Sequence, residues 1–174
     1  MILLSLLDSP TSGIKGDSQV EGYENWIACT SISWALTREF AESAKGGTKD
    51  VFTGVAEIPP IEVGKTFDCA SIDLMKYAAG GGKVCSTAKI HCLISGASET
   101  KPKDNVYLEF ILDNPIISSW NISGDEDARP TETINIWYYK ISLKYWQFDG
   151  TNRKPIDPKG WSRVDHKPWT GSHM

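Results

Sequence analysis

Residues 131 to 146, "TETINIWYYKISLKYW", carry more β-branched and aromatic side chains than one face of a strand can bury. In an extended chain, successive side chains point to opposite faces. Ile134, Ile136 and Tyr138 share one parity, Ile141, Leu143 and Tyr145 share the other, and Trp137 and Tyr139 lie opposite the first set. The apolar side therefore changes near Tyr139. A change of parity moves a whole hydrophobic set across the sheet, so there are two readings: a β-bulge near Tyr139 keeps one core served throughout, or both faces are buried. Trp137, Tyr139 and Trp146 are left over under either reading and are expected at a contact with another subunit, because aromatic residues are enriched in interfaces.

Most of the remaining sequence reads as strand. Residues 2 to 7 form a first strand. In "NWIACTSISWAL" (25 to 36), alternation sets Trp26, Ala28, Thr30, Ile32, Trp34 and Leu36 as the core face against Ile27, Cys29, Ser31, Ser33 and Ala35. Residues 43 to 54, "SAKGGTKDVFTG", read as a long loop. Pro59-Pro60 removes two ladder donors and interrupts the strand that follows. One helix is credible, in "DCASIDLMKYAAGGG": Ser71 caps it, Ile72, Met75 and Ala79 line its packed side, and Gly80 to Gly82 stop it. Residues 84 to 94 and 105 to 113 alternate as two successive antiparallel strands, and Asp113-Asn114-Pro115 is a turn.

With 174 residues the chain fits one domain and can bury a core without staples. Its net charge is −4 and its 18 Lys and Arg are scattered, so nucleic acid is not an expected partner. No stretch reaches the roughly 20 apolar residues of a membrane span, so no membrane insertion is expected. The N-terminus lacks a basic n-region and an A-x-A-like cleavage site, so the chain is expected to start in the cytosol and to leave it, if at all, without a cleaved signal peptide. Cys29, Cys69, Cys85 and Cys92 show no CxxC spacing and are expected as buried thiols.

Each catalytic or metal pattern fails on spacing. Gly80-Gly81-Gly82-Lys83 follows a helix instead of preceding one and lacks the Ser or Thr of a phosphate loop. His91 and Cys92 are adjacent on a strand and point to opposite faces, one at the surface and one in the core, and no second Cys/His pair stands at zinc spacing. Asp125, Glu126 and Asp127 lack the alternation of a calcium loop and read as a solvated turn. There is no G-x-S-x-G elbow, and His166 and His173 lie in the tail, so a Ser/His/Asp arrangement has little to build from. Neither cofactor nor metal is expected, nor enzymatic activity. The face of Ser31 and Ser33 has two readings, a solvent face or the wall of a wet channel.

The segments "IKGDSQ" (14 to 19), "WI" to "SISW" (26 to 34), "DCASIDLMKYAAGG", "ISSWNISG" (117 to 124) and "PTETINIWYYKISLKYW", ending in "FDG" and "GW" (148 to 161), occur in one order along nearly the whole chain. In that order they resemble the haemolysin-coregulated protein (Hcp) family, the inner-tube proteins of type VI secretion systems. The resemblance implies a mainly β fold: a two-sheet antiparallel β-barrel with one short helix packed on its side, occupying residues 1 to 161. Residues 162 to 174 would be a tail, and its last four, Gly171 to Met174, read like a cloning scar. It further implies a homohexameric ring, stacked into a tube, with the contractile sheath, the spike proteins and effector proteins as partners, cytoplasmic before firing and secreted afterwards. Ser31 and Ser33 would face the lumen and its effectors, and Lys45, Gly46, Gly47 and Thr48 would belong to the loop that reaches a neighbouring ring. The rival reading is a monomeric sandwich or barrel that binds a small ligand or carbohydrate on Trp137, Tyr139 and Trp146.

Overall fold

The computed structural model describes residues 1–9, 12–42, 51–94, 105–148 and 153–174. In chain order the elements are β1 (Ile2–Ser9), β2 (Ser12–Ile14), β3 (Ile27–Cys29), β4 (Ser31–Ser33), β5 (Thr37–Glu42), β6 (Val51–Glu57), β7 (Ile61–Thr66), α1 (Ser71–Gly80), β8 (Thr87–Leu93), β9 (Val106–Asp113), β10 (Ile116–Ser123), β11 (Thr131–Trp137), β12 (Lys140–Phe148), β13 (Arg153–Pro155), β14 (Lys159–Ser162) and β15 (Lys167–Pro168). A nine-stranded sheet runs β15-β14-β12-β9-β8-β1-β2, with β13 beside β12 and β3 beside β1. A four-stranded sheet runs β10-β11-β7-β4, and β5 and β6 form a separate hairpin. All strand pairs are antiparallel, and among the described residues no ladder closes the sheets into a barrel. The mainly β class with one helix is as expected.

Two stretches that read as single strands cross between the sheets, and this explains their parity. Residues 131 to 148 are β11, in the small sheet, and β12, in the large one. The chain passes over at Tyr138-Tyr139, so the switch of apolar side comes from a change of sheet and not from a bulge; β12 is in addition buried on both faces, through Ile141 on one and Ser142 and Trp146 on the other. Ile134 and Ile136 before the crossing and Ile141 after it enter one core, whereas Tyr145 is exposed. Tyr138 anchors the crossing: its fully buried hydroxyl donates to the Pro59 carbonyl (2.8 Å) and accepts from Trp34 Nε1 (2.7 Å). Burial pushes its phenol up to about 12. Likewise residues 25 to 36 split at Thr30 into β3 on the large sheet and β4 on the small one. Ile27 is core and Ala28 is exposed, the reverse of the expected faces, while Ile32 and Trp34 do turn inward.

The hydrophobic effect assembles the sandwich by burying Leu4, Leu6, Ile90 and Leu112 of the large sheet against Ile61, Val63, Ile134 and Ile136 of the small one. Pro59-Pro60 breaks the extended run as expected, between β6 and β7, but Val51 to Gly54, read as loop, belong to β6. Helix α1 packs through Leu74, Tyr77 and Ala78, leaving Ile72 and Met75 exposed. Its cap is Ala70, with no side-chain hydrogen bond, and Gly81 at φ 68° ends it, donating to the Tyr77 carbonyl. Cys85 and Cys92 are buried, but Cys29 is half-buried and Cys69 exposed. Residues 162 to 174, expected as a tail, begin at the end of β14, add β15 and return across the large sheet.

Candidate functional site: a polar sheet face

The small sheet buries one face and leaves the other open, and its ladders fix which residues share the open side. On β11 the residues paired inward are Glu132, Ile134 and Ile136, all buried, so Thr131, Thr133 and Asn135 point away. Register then extends two rows across the sheet: Asn121, Thr133, Gly64 and Ser31 in one, Ser119, Asn135, Glu62 and Ser33 in the next. Ser123, Thr131 and Thr66 make a shorter third. Every side chain of these rows is small, neutral and polar, except the carboxylate of Glu62. Ser31 and Ser33, singled out from the sequence, are exposed and lie at the β4 edge of this face. Gly64 leaves the room that Ser31 occupies, since a Cβ there would meet the Ser31 hydroxyl. Asn135 Nδ2 donates to Ser119 Oγ (2.7 Å), holding the middle of the face in place.

Beneath this face lies a buried ion network that the sequence reading missed. Lys65 and Glu132 are opposite residues of β7 and β11, both on the inward side, and their side chains are 0% exposed. Lys65 Nζ reaches Glu132 Oε2 (2.7 Å), Asp68 Oδ1 (2.8 Å) and Ser71 Oγ (3.0 Å). This ties the start of α1 to the sheet, because Asp68 Oδ1 also accepts from the Ala70 N–H (2.9 Å). A charged residue on the apolar parity of each neighbouring strand, Lys65 after Ile61 and Val63, Glu132 before Ile134 and Ile136, was the available signal.

The aromatic candidates separate. Trp146 is only 5% exposed and sits with Leu3, Tyr23, Leu93 and Val106 in the chain's own second core. Trp137 is half-buried at the end of β11, edge-on to Tyr139 with centroids 4.8 Å apart and covered by the Arg163 guanidinium at 4.7 Å. Tyr139 is 38% exposed. Lys45, Gly46, Gly47 and Thr48 lie outside the described residues.

The structure also assembles a Ser–His–carboxylate array that the sequence did not foretell. Ser142 Oγ meets His173 Nε2 (2.8 Å), His173 Nδ1 meets Glu109 Oε2 (2.8 Å), and Glu109 Oε1 meets His91 Nε2 (2.9 Å), with Tyr23 on His91 Nδ1 (3.0 Å). It cannot act on a substrate. Ser142 and Glu109 are fully buried, and the Ser142 hydroxyl donates to the Thr170 carbonyl (2.7 Å). His91, expected at the surface, is 2% exposed because Tyr23 and Trp26 fold over it. Burial pushes the Glu109 carboxyl up, but the hydrogen bonds from His173 and His91 outweigh it and hold the group down at about 2. The array is a buried clamp on the far face of the large sheet. Among the described residues, no group of three or more His, Cys, Asp or Glu is placed to hold a metal.

Comparison with known proteins agrees with the fold. The family model described as "Type VI secretion system effector, Hcp" matches residues 9–145. A solved structure described as a type six secretion system protein superposes with a TM-score of 0.82 at 24% identity, covering 97% of this chain and 98% of that one. Hcp1 from Salmonella typhimurium gives 0.72 at 22%, covering 97% of each chain. A type VI secretion system effector from Yersinia pestis gives 0.66 at 17%, covering 93% and 99%. None of the curated proteins searched matches the sequence.

Proposed function

The chain belongs to the Hcp family of type VI secretion systems, and from that premise we propose that six copies close into a ring whose lumen is walled by the open face of the small sheet. Hcp proteins are structural, secreted tube proteins, not enzymes, so the family supplies the role and the sheet supplies the wall. The observation that carries the reading is the composition of three rows of that face: eleven positions on four adjacent strands without one apolar side chain, above an apolar core and bounded at one end by the Ile116–Trp137 row. Sheets usually leave such a face to bulk water. In a ring, this face would hydrate a channel through which protein cargo passes without sticking.

A closed ring of identical chains needs heterologous contacts, one surface meeting a different surface of the next copy. Both edges of the small sheet, β10 and β4, are candidates, and the exposed part of Tyr139 with Trp137 supplies aromatic surface near the end of β11. Stacked rings would form the tube, the contractile sheath would surround it, the spike would cap it, and effectors would travel inside. Ser31 and Ser33 are proposed as lumen residues, and Lys45 to Thr48 as part of the loop that reaches the next ring. Among the described residues no helix is long and apolar enough to cross a membrane, in keeping with export by the secretion machine.

The rival binding module needs three exposed aromatics as its platform, and Trp146 is buried. Electron microscopy of the purified protein tests the proposal: six-fold annuli are expected, and a monodisperse monomer by light scattering at micromolar concentration would sink it.

A further inference from the structure

Two oppositely charged features stand at opposite ends of β11. At its start, the connection from β10 forms an exposed turn, Gly124 to Arg129, bearing Asp125, Glu126 and Asp127. Gly124 closes against the Pro130 ring, so the turn projects as a compact knuckle. At the other end of β11, the hairpin β5–β6 stands away from β14 and leaves a groove of about 560 Å³. Its floor is Ala56, Ile58 and Trp161, and Arg38, Arg163 and His166 rim it. A seven-residue strand separates the two features by about 20 Å.

The balance of charge in the groove favours an anionic occupant. Among the described lining residues the two guanidinium groups of Arg38 and Arg163 face one carboxylate, Glu57, and His166 adds a hydrogen-bonding ring. Lys159 lines the apolar arm that continues the groove past Trp34 and Leu36. Asp165, beside His166, already accepts from the Ser162 hydroxyl (2.9 Å). Arg163 is pre-positioned on the wall of the groove: its guanidinium lies over the Trp137 ring and Nη1 donates to the Tyr138 carbonyl (3.4 Å).

The geometry points to a second copy of this chain as the occupant: the Asp125–Asp127 knuckle of one copy seats in the Arg38/Arg163/His166 groove of another. Knob and groove are different surfaces, so each copy offers one of each and the contact is heterologous, head to tail. Since the closure of each ring is assigned above to the edges of the small sheet, this contact is placed between successive rings, and in that respect it rests on the tube reading above. An apolar floor under a charged rim suits the knuckle, which carries Ala128 and Pro130 behind its carboxylates.

The test uses two variants of the full chain whose changes are at exposed sites. One reverses the knuckle, Asp125→Lys with Glu126→Lys and Asp127→Lys. The other reverses the rim, Arg38→Glu with His166→Asp; Asp tolerates the positive φ of 50° at that position. Sedimentation at low ionic strength reads association between rings, and microscopy reads the six-fold annuli. Each variant alone is expected to keep its annuli and to lose ring-to-ring association by about tenfold or more, since attraction becomes repulsion at several charges. Mixing the two is expected to restore it in alternating order. Added salt is expected to weaken the wild-type association, as it does any contact between exposed charges. Association of the knuckle variant equal to wild type, or a mixture no better than its components, overturns the contact. Wild-type rings that do not associate at low salt overturn it as well. Absence of annuli in the wild type instead overturns the ring reading and is seen separately.

Discussion

The two sheets share one core but treat their second faces in opposite ways. The far face of the large sheet, carrying Leu3, His91, Glu109, Ser142 and Trp146, is covered by the 18–26 turn through Tyr23 and Trp26 and by the return of residues 169 to 174. The far face of the small sheet, carrying Ser31, Ser33, Glu62, Thr133 and Asn135, is covered by no other segment among the described residues. Composition follows this difference: the covered face holds aromatics and a clamped carboxylate, the open one hydroxyls and amides. A face that a chain does not cover, and does not make apolar, is the face it keeps for water or for what moves through water.

One carboxylate on each face gives the sharpest contrast. Removing Glu109 strands two buried imidazoles, so Glu109→Ala is expected to cost about 4 kcal/mol, within the range for breaking a buried charged pair. Glu62→Ala, on the open face, is expected to stay within about 0.5 kcal/mol. Urea denaturation of the two variants measures both. Equal losses would show that the open face is covered after all.

Acid should find the Glu109 clamp. Glu109 is held down at about 2, below its ordinary 4.5, so its folded pKa is depressed and its contribution is fully present above about 4.5. That contribution, up to roughly 3 kcal/mol, is lost as pH falls from about 4.5 towards 2. The stability difference between wild type and Glu109→Gln should therefore narrow over this window, and a difference independent of pH would contradict the clamp.

Trp146 and Trp137 make the third contrast, and here the sequence pointed the wrong way for one of them. Trp146→Ala opens a cavity in the second core and is expected to cost about 3 kcal/mol. Trp137→Ala, half-buried and flanked by Arg163 and Tyr139, is expected to cost about 1 kcal/mol, with its larger effect on assembly size. Denaturation curves alongside light scattering separate the two outcomes. Alternation alone could not assign Trp146, because its partners Tyr23 and Leu3 come from segments more than a hundred residues earlier.

That failure marks the general limit of what was legible. Strand character, the break at Pro59-Pro60, the helix and the parity switch near Tyr139 are local properties of short stretches, and the structure has them. The cause of the switch is not local: the sequence offered a bulge or double burial, and the chain changes sheets at Tyr138-Tyr139, as it also does at Thr30, with β12 then buried on both faces. Once a strand changes sheets, parity read through the crossing assigns wrong faces, which is why Ile27 and Ala28 were exchanged. Helix α1 was misread similarly, since Leu74 packs and Ile72 does not, a matter of which side meets the core. The small polar face was half legible through Ser31 and Ser33; its other residues needed the register of β4, β7, β10 and β11.

The smallest expected effect discriminates most finely between uses of the open face. Ser33→Ala removes a hydroxyl that faces outward beside Glu62 and should change stability by less than about 0.5 kcal/mol. Ser31→Leu together with Ser33→Leu should also leave the single chain's stability nearly unchanged, because neither side chain enters the core. If the face lines a hydrated channel, these leucines leave annulus size unaltered and increase retention of protein cargo, as apolar surface is added to two rows that carry none. If the face packs against a neighbouring copy instead, the same leucines change the assembly itself, and the annuli shift in diameter or disappear. Micrographs of the double variant beside wild type read this directly, and unaltered annuli with increased cargo retention place the polar face on the inside of the ring.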